Sequence, residues 1–211
     1  MTFYRGVRVL LVAYLRLVYR IRVTGREHSP VDGPFILAPA HRSMLDIPIV
    51  GVISKRRVHF MGKSSLFRVP LLGSLFRVLG GFPVERDGTD TAALRESLRF
   101  LKAGEPLVVY PEGTRQHGRE ISPLQAGAAW LSLKTGAPIV PVGIAGAEET
   151  FRARRGLLPG FGRIVVVIGE PIYPPPRTGS GSVVKRAAVD ELSATLRSRI
   201  QSLFDEAYAI R

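Results

Sequence analysis

The chain contains no cysteine among its 211 residues. This absence excludes disulfide bonds, thiolate-bound metal sites and a cysteine nucleophile. Long uncharged runs are also missing from the N-terminal segment, where the longest run extends only from Val9 to Leu15. A bilayer-spanning helix needs roughly 20 apolar residues, and no small-residue cleavage site follows this run. We therefore predict neither a transmembrane helix nor a secretory signal peptide there.

Acidic residues are scarce, with 17 Asp and Glu against 30 Lys and Arg, and the formal net charge is +13. This excess favours a polyanionic partner, which is nucleic acid, an anionic membrane surface or a phosphorylated substrate. The sequence has no recognition helix, Cys/His module or aromatic ribonucleoprotein motif, so a nucleic-acid-binding protein is only a remote alternative. The length and the 45% hydrophobic content indicate one substantial core and a single domain.

The segment Phe3 to Val23 alternates apolar blocks with arginines. At helical spacing its arginines fall within one stripe, and the apolar residues lie mainly elsewhere. This pattern favours an amphipathic helix in a membrane interface, bound to anionic lipid. The alternative is an ordinary core helix with a solvated basic face. We expect residues 1–23 to associate with the membrane and the protein to be monotopic, on the cytoplasmic face of the cell membrane. The stripe consists of Arg5, Arg8, Arg16 and Arg20.

Short apolar runs then alternate with helical patterns, which is typical of an α/β fold. We predict a single domain with a largely parallel mixed sheet of about seven strands, flanked by helices. The catalytic core is predicted at residues 24–170, and residues 171–211 are predicted to form a Pro/Gly-rich tether and a helix packed on the core. Strands are predicted at Ile21–Thr24, Phe35–Ala38, Val58–Met61, Gly81–Val84, Leu107–Tyr110, Ile139–Ile144 and Ile164–Ile168. Helices are predicted at Leu45–Ile53, Thr91–Ala103 and Leu124–Lys134, with mixed helix and turn over Leu66–Leu79.

His41 follows one predicted strand and Asp46 opens the next predicted helix. An imidazole at a strand end, faced by a carboxylate, has the parts of a general base and its orienting partner. Ser43 and Asp46 also fit a capping box, in which Ser43 is the N-cap and Asp46 the third helical residue. One carboxylate can serve both roles because it has about four acceptor sites. The remaining histidines have no comparable partner nearby in the sequence, and we interpret them as surface or packing residues.

Charged residues follow two further predicted strands. Arg86 comes after the strand that ends at Val84, and Glu112 and Arg115 come after the strand that ends at Tyr110. In open α/β sheets, ligands bind beyond the carboxyl ends of strands, so these residues and His41 are expected to share one crevice. Arginine matches phosphate oxygens with two parallel hydrogen bonds, and we therefore expect both arginines to bind phosphate.

Four blocks of residues carry a resemblance to a known family. They are His41-x4-Asp46, Gly81-Phe82-Pro83-Val84-Glu85-Arg86, Tyr110-Pro111-Glu112-Gly113-Thr114-Arg115 and Ile139-Val140-Pro141-Val142. In order and spacing these blocks resemble motifs one to four of the glycerolipid acyltransferases, the 1-acylglycerol-3-phosphate acyltransferase family. The resemblance extends from about Thr24 to Glu170. It implies acyl transfer from a thioester, acyl-CoA or acyl carrier protein, to a hydroxyl of a glycerol phosphate lipid, with no cofactor and no metal.

The resemblance also implies a role for individual residues. His41 is the implied base, with Asp46 as its partner. The acceptor phosphate is implied to bind Arg86, Arg115 and Lys63, of which Lys63 belongs to a stretch similar to one that lines the family's site. The remaining implied residues shape two pockets: Glu112, Gly113 and Thr114 the acceptor pocket, and Pro141 and Val142 the acyl site.

Two positions depart from the family pattern. Tyr110 stands where Phe is common, and Glu85 precedes Arg86 where two cations are common. The second departure removes a positive charge from this motif, so the motif does not by itself identify the acceptor. Lysophosphatidic acid is the expected acceptor, and the alternatives are another lysophospholipid, a glycolipid or glycerol 3-phosphate. The expected partners are therefore the acceptor lipid, the thioester donor and an anionic membrane surface, without nucleic acid.

Overall fold

The structure, a computed structural model, describes residues 2–85, 91–152, 162–176 and 183–211. Within these residues seven strands form one sheet. In chain order they are β1 (Arg22–Thr24), β2 (Ile36–Pro39), β3 (His59–Lys63), β4 (Gly81–Val84), β5 (Leu107–Val108), β6 (Ile139–Ala145) and β7 (Val165–Ile168). The helices are α1 (Thr2–Tyr19), α2 (Asp46–Ile53), α3 (Ser64–Phe67), α4 (Pro70–Val78), α5 (Thr91–Lys102), α6 (Gly127–Thr135), α7 (Ala147–Arg152) and α8 (Arg186–Ile210).

The strands lie in the spatial order β1-β7-β6-β2-β5-β3-β4. Strands β2 to β6 are mutually parallel, whereas β7 is antiparallel to β6 and β1 is parallel to β7. The predicted α/β domain with a largely parallel mixed sheet is therefore confirmed. Because the five central strands run in one direction, their carboxyl ends meet at one edge, and the chain segments after β2, β3 and β5 converge there.

Helices cover both faces of the sheet, as the near-continuous apolar strands require. One face packs against α1, α2 and α4, with Ile49 and Ile53 of α2 fully buried among the strand residues. The other face packs against α5, α6 and α8, where Ile200 and Phe204 of α8 are 0% exposed. The sheet is thus held between two packed layers of helices.

Helix α1 packs on the body through Leu15 and Tyr19, which are 1% and 0% exposed. The Arg8 guanidinium donates hydrogen bonds to the carbonyl oxygens of Val52 and Ser54 at the end of α2. A cation is favourable there because the helix dipole is negative at its C-terminus. Of the predicted arginine stripe, Arg8 therefore bonds to the body of the protein, whereas Arg16 and Arg20 are exposed.

The outer side of α1 presents apolar residues to the surface. Leu10 and Leu17 are 72% and 80% exposed, and Tyr14, which lies between them at helical spacing, is 41% exposed. We call these three residues the α1 apolar stripe. In the described residues no helix is both long enough and apolar enough to cross a membrane.

Several element boundaries differ from the sequence predictions. Helix α1 ends at Tyr19 rather than at Val23, because Arg20 adopts a left-handed backbone conformation (φ 43°) and the Arg22 amide bonds to the carbonyl of Ile164. The predicted boundary at residue 23 consequently falls inside β1. Helix α7 was not predicted. Residues 177–182 of the predicted tether lie outside the described residues.

Candidate active site

His41 lies at the carboxyl edge of the sheet, just beyond β2. The amide of Ala40 still bonds to the Val142 carbonyl of β6 at 3.0 Å, so the strand holds the backbone until one residue before His41. The His41 Nδ1 atom is 2.9 Å from Asp46 Oδ2. The imidazole is 12% exposed and the Asp46 side chain is fully buried. Because the Asp46 carboxylate accepts a hydrogen bond from Nδ1–H, Nε2 is the nitrogen available to take a proton from a substrate.

Asp46 is fixed by the loop that precedes it. Its Oδ2 also accepts hydrogen bonds from the backbone amides of Arg42 and Ser43, both at 2.7 Å. Only half of the capping box predicted for Ser43 and Asp46 forms: the Asp46 carboxylate accepts from the Ser43 amide, but α2 begins at Asp46 and its N-cap is Leu45. The Ser43 hydroxyl instead accepts from the Leu45 amide at 3.2 Å. The carboxylate does serve both backbone and imidazole, and it does so through one oxygen.

Arg42 and Glu112 form a buried ion pair that sequence reasoning missed. Arg42 Nη1 lies 2.8 and 3.0 Å from the two Glu112 carboxylate oxygens, and the side chains are 1% and 0% exposed. Arg42 also donates to the carbonyl oxygens of Gly118 and Glu120. The pair joins the loop after β2 to the loop after β5. The one signal in the sequence was the position of Arg42, directly beside His41.

Glu112 also holds the backbone of His41. Its Oε1 accepts from the His41 amide and its Oε2 from the Ser122 amide, each at 3.1 Å. The Gln116 amide in turn donates to the His41 carbonyl at 2.9 Å. The Glu112 carboxylate, expected to shape the acceptor pocket, thus lies buried against the His41 backbone and Arg42. It fixes the backbone amides of His41 and Ser122 at the carboxyl edge of the sheet.

Tyr110 stacks on the imidazole of His41. The ring centroids are 4.0 Å apart and the planes are inclined by 28°. Burial raises the pKa of the Tyr110 hydroxyl well above its usual value of 10.0, and the negative charge of Asp46 raises it further. The hydroxyl therefore stays protonated and uncharged, and the phenol ring forms one wall of the imidazole site.

The C-terminal helix α8 braces the loop that follows β5. Arg197 donates to the carbonyl of Ile121 at 2.8 Å, and Gln201 accepts from the Ile121 amide at 2.8 Å. Gln201 also donates to the Arg119 carbonyl at 3.0 Å. The Arg42 guanidinium lies over the Phe204 ring, 5.1 Å from its centroid. Helix α8 thereby supports the loop and the buried ion pair.

The other predicted site residues that the structure describes lie in the loop after β5 or in strands β3 and β6. Arg115, Gly113 and Thr114 are exposed in the loop after β5, and Lys63 is the exposed last residue of β3. Lys63 pairs in register with Val84, the last residue of β4, and Arg86 lies outside the described residues. Pro141 and Val142 are buried in β6, beside Ala38 and Pro39 of β2.

Two further histidines have structural environments. His28 Nδ1 is 2.8 Å from the Ile168 carbonyl, and His59 stacks on Phe100 at 3.8 Å. Burial lowers the pKa of His59 below its usual 6.5, and the charge of Arg57 lowers it further. In the part of the chain that the structure describes, no group of three or more His, Cys, Asp or Glu residues is placed to hold a metal ion.

Comparison with known proteins identifies the family. A model of the Acyltransferase family matches residues 20–145, more than half of the chain. The chain is 29% identical over 187 residues to the 1-acyl-sn-glycerol-3-phosphate acyltransferase of Bacillus subtilis, covering 87% of each protein. It is 27% identical over 158 residues to a chloroplastic 1-acyl-sn-glycerol-3-phosphate acyltransferase of Brassica napus, covering 74% of this chain and 46% of the plant protein.

A solved structure agrees with the sequence comparisons. The chain resembles the crystal structure of the 1-acyl-sn-glycerophosphate acyltransferase PlsC from Thermotoga maritima with a TM-score of 0.79 and 25% identity. The match covers 98% of this chain and 80% of that one. The family match and the shared fold lead to the same conclusion: the chain belongs to the Acyltransferase family and is an O-acyltransferase.

Proposed function

We propose that the protein transfers a fatty acyl group from acyl-CoA or acyl carrier protein to the free hydroxyl of lysophosphatidic acid, forming phosphatidic acid. The relatives reported above, which are named for 1-acylglycerol-3-phosphate, support this acceptor. The observation that carries the chemistry is the 2.9 Å contact between His41 Nδ1 and the buried Asp46. It supports a general base whose second nitrogen points away from the carboxylate.

In the proposed mechanism, His41 Nε2 removes the proton of the acceptor hydroxyl as its oxygen attacks the thioester carbonyl carbon. The negative charge of Asp46 stabilises the imidazolium that results. The tetrahedral intermediate then collapses, the carbon-sulfur bond breaks, and the imidazolium gives its proton to the departing thiolate. Neither a covalent enzyme intermediate nor a further reactant is needed, because the thioester is already activated.

The acceptor phosphate is proposed to bind the cations at the carboxyl edge of the sheet. Lys63 is the exposed last residue of β3, Arg115 is exposed in the loop after the neighbouring strand β5, and Arg86 follows β4 in the sequence. Arginine binds a phosphate monoester with two charge-assisted hydrogen bonds, which are roughly twice as strong as neutral ones. This cluster would place the lipid hydroxyl near His41 and favour phosphorylated acceptors.

The base is tested by His41→Ala and Asp46→Asn, assayed by thiol release from one acyl-CoA. We expect His41→Ala to lose most turnover, since general-base catalysis contributes about 10²- to 10⁴-fold, with an unchanged melting temperature. Asp46→Asn should reduce turnover by the same factor as His41→Ala or by a smaller one. His59→Ala is the matched control. His59 is the first residue of β3, so it lies at the amino ends of the parallel strands, whereas His41 lies at their carboxyl ends. Near-normal turnover in folded His41→Ala would refute the mechanism.

The acceptor is tested by a panel that contains lysophosphatidic acid, other lysophospholipids, an acylated glycolipid, glycerol 3-phosphate and an uncharged monoacylglycerol. We expect lysophosphatidic acid to be preferred. Arg115→Ala should raise the acceptor KM about ten- to a hundredfold and leave the donor KM unchanged. Arg199→Ala, which removes an exposed charge from α8, is the control. If Arg115→Ala raises only the donor KM, Arg115 binds the donor and its assignment to the acceptor phosphate is wrong.

We also propose that the protein is monotopic and binds the cytoplasmic face of an anionic membrane. The α1 apolar stripe, flanked by the exposed Arg16 and Arg20, is the surface that supports this proposal. Apolar side chains beside cations are the combination that holds amphipathic helices in the headgroup region. The donors that we propose, acyl-CoA and acyl carrier protein, would reach the site from the cytoplasm.

A further inference from the structure

A second cationic site lies between α1, residues 55–57 and the end of α4. It is a cavity of about 1290 Å³, which we call the basal groove. Its apolar wall includes Val9, Val12 and Val78. The groove is lined by six cations, which are Arg8, Arg16, Lys55, Arg56, Arg57 and Arg77. Glu105 is the acidic residue in this lining, so the groove carries a large excess of positive charge.

Two of these cations are half-buried and bond to the body of the protein. Arg8 bonds to carbonyl oxygens of the α2 end, and Arg56 bonds to the carbonyl oxygens of Gly33 and Gly104 and lies 3.8 Å from Glu105. The Nε atom of Arg8 is buried, and no hydrogen-bond partner for it occurs among the described residues.

The other four cations are exposed, and Arg57 donates to the Arg77 carbonyl at 2.8 Å. Like charges that share one cavity repel each other, and a bound anion would lower that electrostatic free energy.

The basal groove is separate from the catalytic edge. Gly33 and Gly104, which Arg56 contacts, precede β2 and β5, so the groove lies at the amino ends of the parallel strands. His41 lies beyond the carboxyl end of β2. A strand of this length spans roughly 13 Å at about 3.3 Å per residue. Lys63 and Arg115, which are proposed for the acceptor phosphate, lie at or beyond the carboxyl ends of β3 and β5, at the far end of the sheet from the groove.

The groove is continuous with the apolar surface of α1. Val9 lines the groove and is 66% exposed, and its neighbour Leu10 belongs to the α1 apolar stripe. Cations beside exposed apolar side chains match a phosphate headgroup with its acyl chains. We propose that the basal groove binds the phosphate headgroup of an anionic phospholipid, at a site distinct from the catalytic crevice. This proposal does not depend on which acceptor the enzyme uses.

The proposal is tested by titrating the full-length protein with dihexanoyl phosphatidic acid and dihexanoyl phosphatidylcholine, below their micelle concentrations, in a calorimeter. The groove variant is Lys55→Gln/Arg57→Gln/Arg77→Gln. The matched control, Arg95→Gln/Lys102→Gln/Arg199→Gln, removes the same charge from exposed positions of α5 and α8. We expect the parent to prefer phosphatidic acid, the groove variant to bind it about tenfold more weakly or worse, and the control to stay within about twofold.

The other arms of the titration identify different occupants. Equal weakening in the groove and control variants would overturn the proposal, because net charge alone would then explain binding. Binding that is lost in Arg115→Ala but kept in the groove variant would also overturn it, by placing the lipid in the catalytic crevice. Titration with CoA and with inorganic phosphate separates the sources of phosphate: tighter binding of CoA at the groove would contradict a lipid site. No turnover is measured, so a failed acyltransferase assay does not affect the result.

Discussion

At the scale of single residues, the buried carboxylate of Glu112 holds the backbone of His41, the proposed base. It binds Arg42 and the His41 amide without contact to solvent. Removal of one partner leaves the other charge buried and unpaired, which costs about 3–5 kcal/mol. We therefore expect Glu112→Ala to lower the free energy of unfolding by about this amount and to reduce turnover, as measured by urea denaturation and thiol release.

The control for this prediction is an exposed ion pair. Glu96 bonds to Arg99 on α5, and the Arg99 side chain is 66% exposed. Exposed pairs contribute about 0–1 kcal/mol, so Glu96→Ala should leave the unfolding midpoint nearly unchanged. A Glu112→Ala variant as stable as Glu96→Ala would contradict the role assigned to the buried pair.

Tyr110 separates the contribution of a ring from that of its hydroxyl. The hydroxyl is buried and has no hydrogen-bond partner among the described residues, whereas the ring stacks on His41. An unpaired buried hydroxyl costs roughly 1–3 kcal/mol. Tyr110→Phe should therefore keep activity and stabilise the fold by about 1 kcal/mol, and Tyr110→Ala should lose activity. Thermal melts measure the stability of the two variants, and thiol-release kinetics measure their activity. A lower melting temperature for Tyr110→Phe would show that the hydroxyl forms a hydrogen bond.

The residues of the site differed in how well the sequence predicted them. His41 and Asp46 are five positions apart and could be paired from spacing at a strand end. Arg42 and Glu112 are 70 positions apart, and no local pattern links them. Burial cannot be read from residue type, so a pocket role was expected for a glutamate that is wholly enclosed. Contacts between distant loops depend on the spatial order of the strands, and this order could not be predicted from the sequence.

At the scale of elements, α8 crosses β6 at Gly143. A Cβ at this position would lie against the backbone of Leu203 and Phe204, closer than real carbon contacts allow. Backbone cannot rotate away as a side chain does, so α8 would have to lift from the sheet. We expect Gly143→Ala to cost about 3 kcal/mol or more, measured by thermal and urea unfolding.

A matched glycine is available in α2. Gly51 lies in the helix interior, and a Cβ there meets nothing within 4 Å. Because Ala is favoured over Gly in helices, Gly51→Ala should raise stability by roughly 0.5–1 kcal/mol. Equal effects of the two substitutions would mean that α8 does not pack closely on β6.

Periodicity predicted the elements better than it predicted their arrangement. The strand Gly81–Val84 was predicted with its exact bounds, and α5 differs by one residue at its end. The antiparallel entry of β7 and the short helix α7 were not predicted, since both depend on neighbours distant in the chain. The end of α1 was placed too late because the turn at Arg20 uses a left-handed arginine, for which the sequence carries no glycine or asparagine signal.

At the scale of the whole molecule, membrane binding should depend on the outer side of α1. Deletion of residues 1–23 is a poor test, because it removes the buried Leu15 and Tyr19 from the core. Leu10→Ser/Leu17→Ser changes only exposed side chains and should weaken co-sedimentation with anionic vesicles at equal stability. Burial of a Leu side chain is worth about 1.5–3 kcal/mol, so a loss of tenfold or more is expected. Raising the salt concentration should also weaken vesicle binding by the parent protein, because salt screens its cations.

The control removes apolar surface elsewhere. Tyr173 and Val183, which are 71% and 86% exposed, lie outside α1. Tyr173→Ser/Val183→Ser should bind vesicles as the parent does. If the two double variants lose binding equally, the membrane contact is not on α1.

The bracing of the active-site loop by α8 has a consequence for the order of synthesis. Arg197 and Gln201, which hold the loop, are translated long after His41 and Glu112. Because chains fold from the N-terminus as they are made, a ribosome-bound chain arrested before Arg197 contains His41, the proposed base, but not the half of α8 that fixes the surrounding loop. Arrested chains should therefore show little acyl transfer, and activity should begin when the completed chain is released and α8 docks. Translation itself would thus keep an unfinished enzyme from acting on the bilayer.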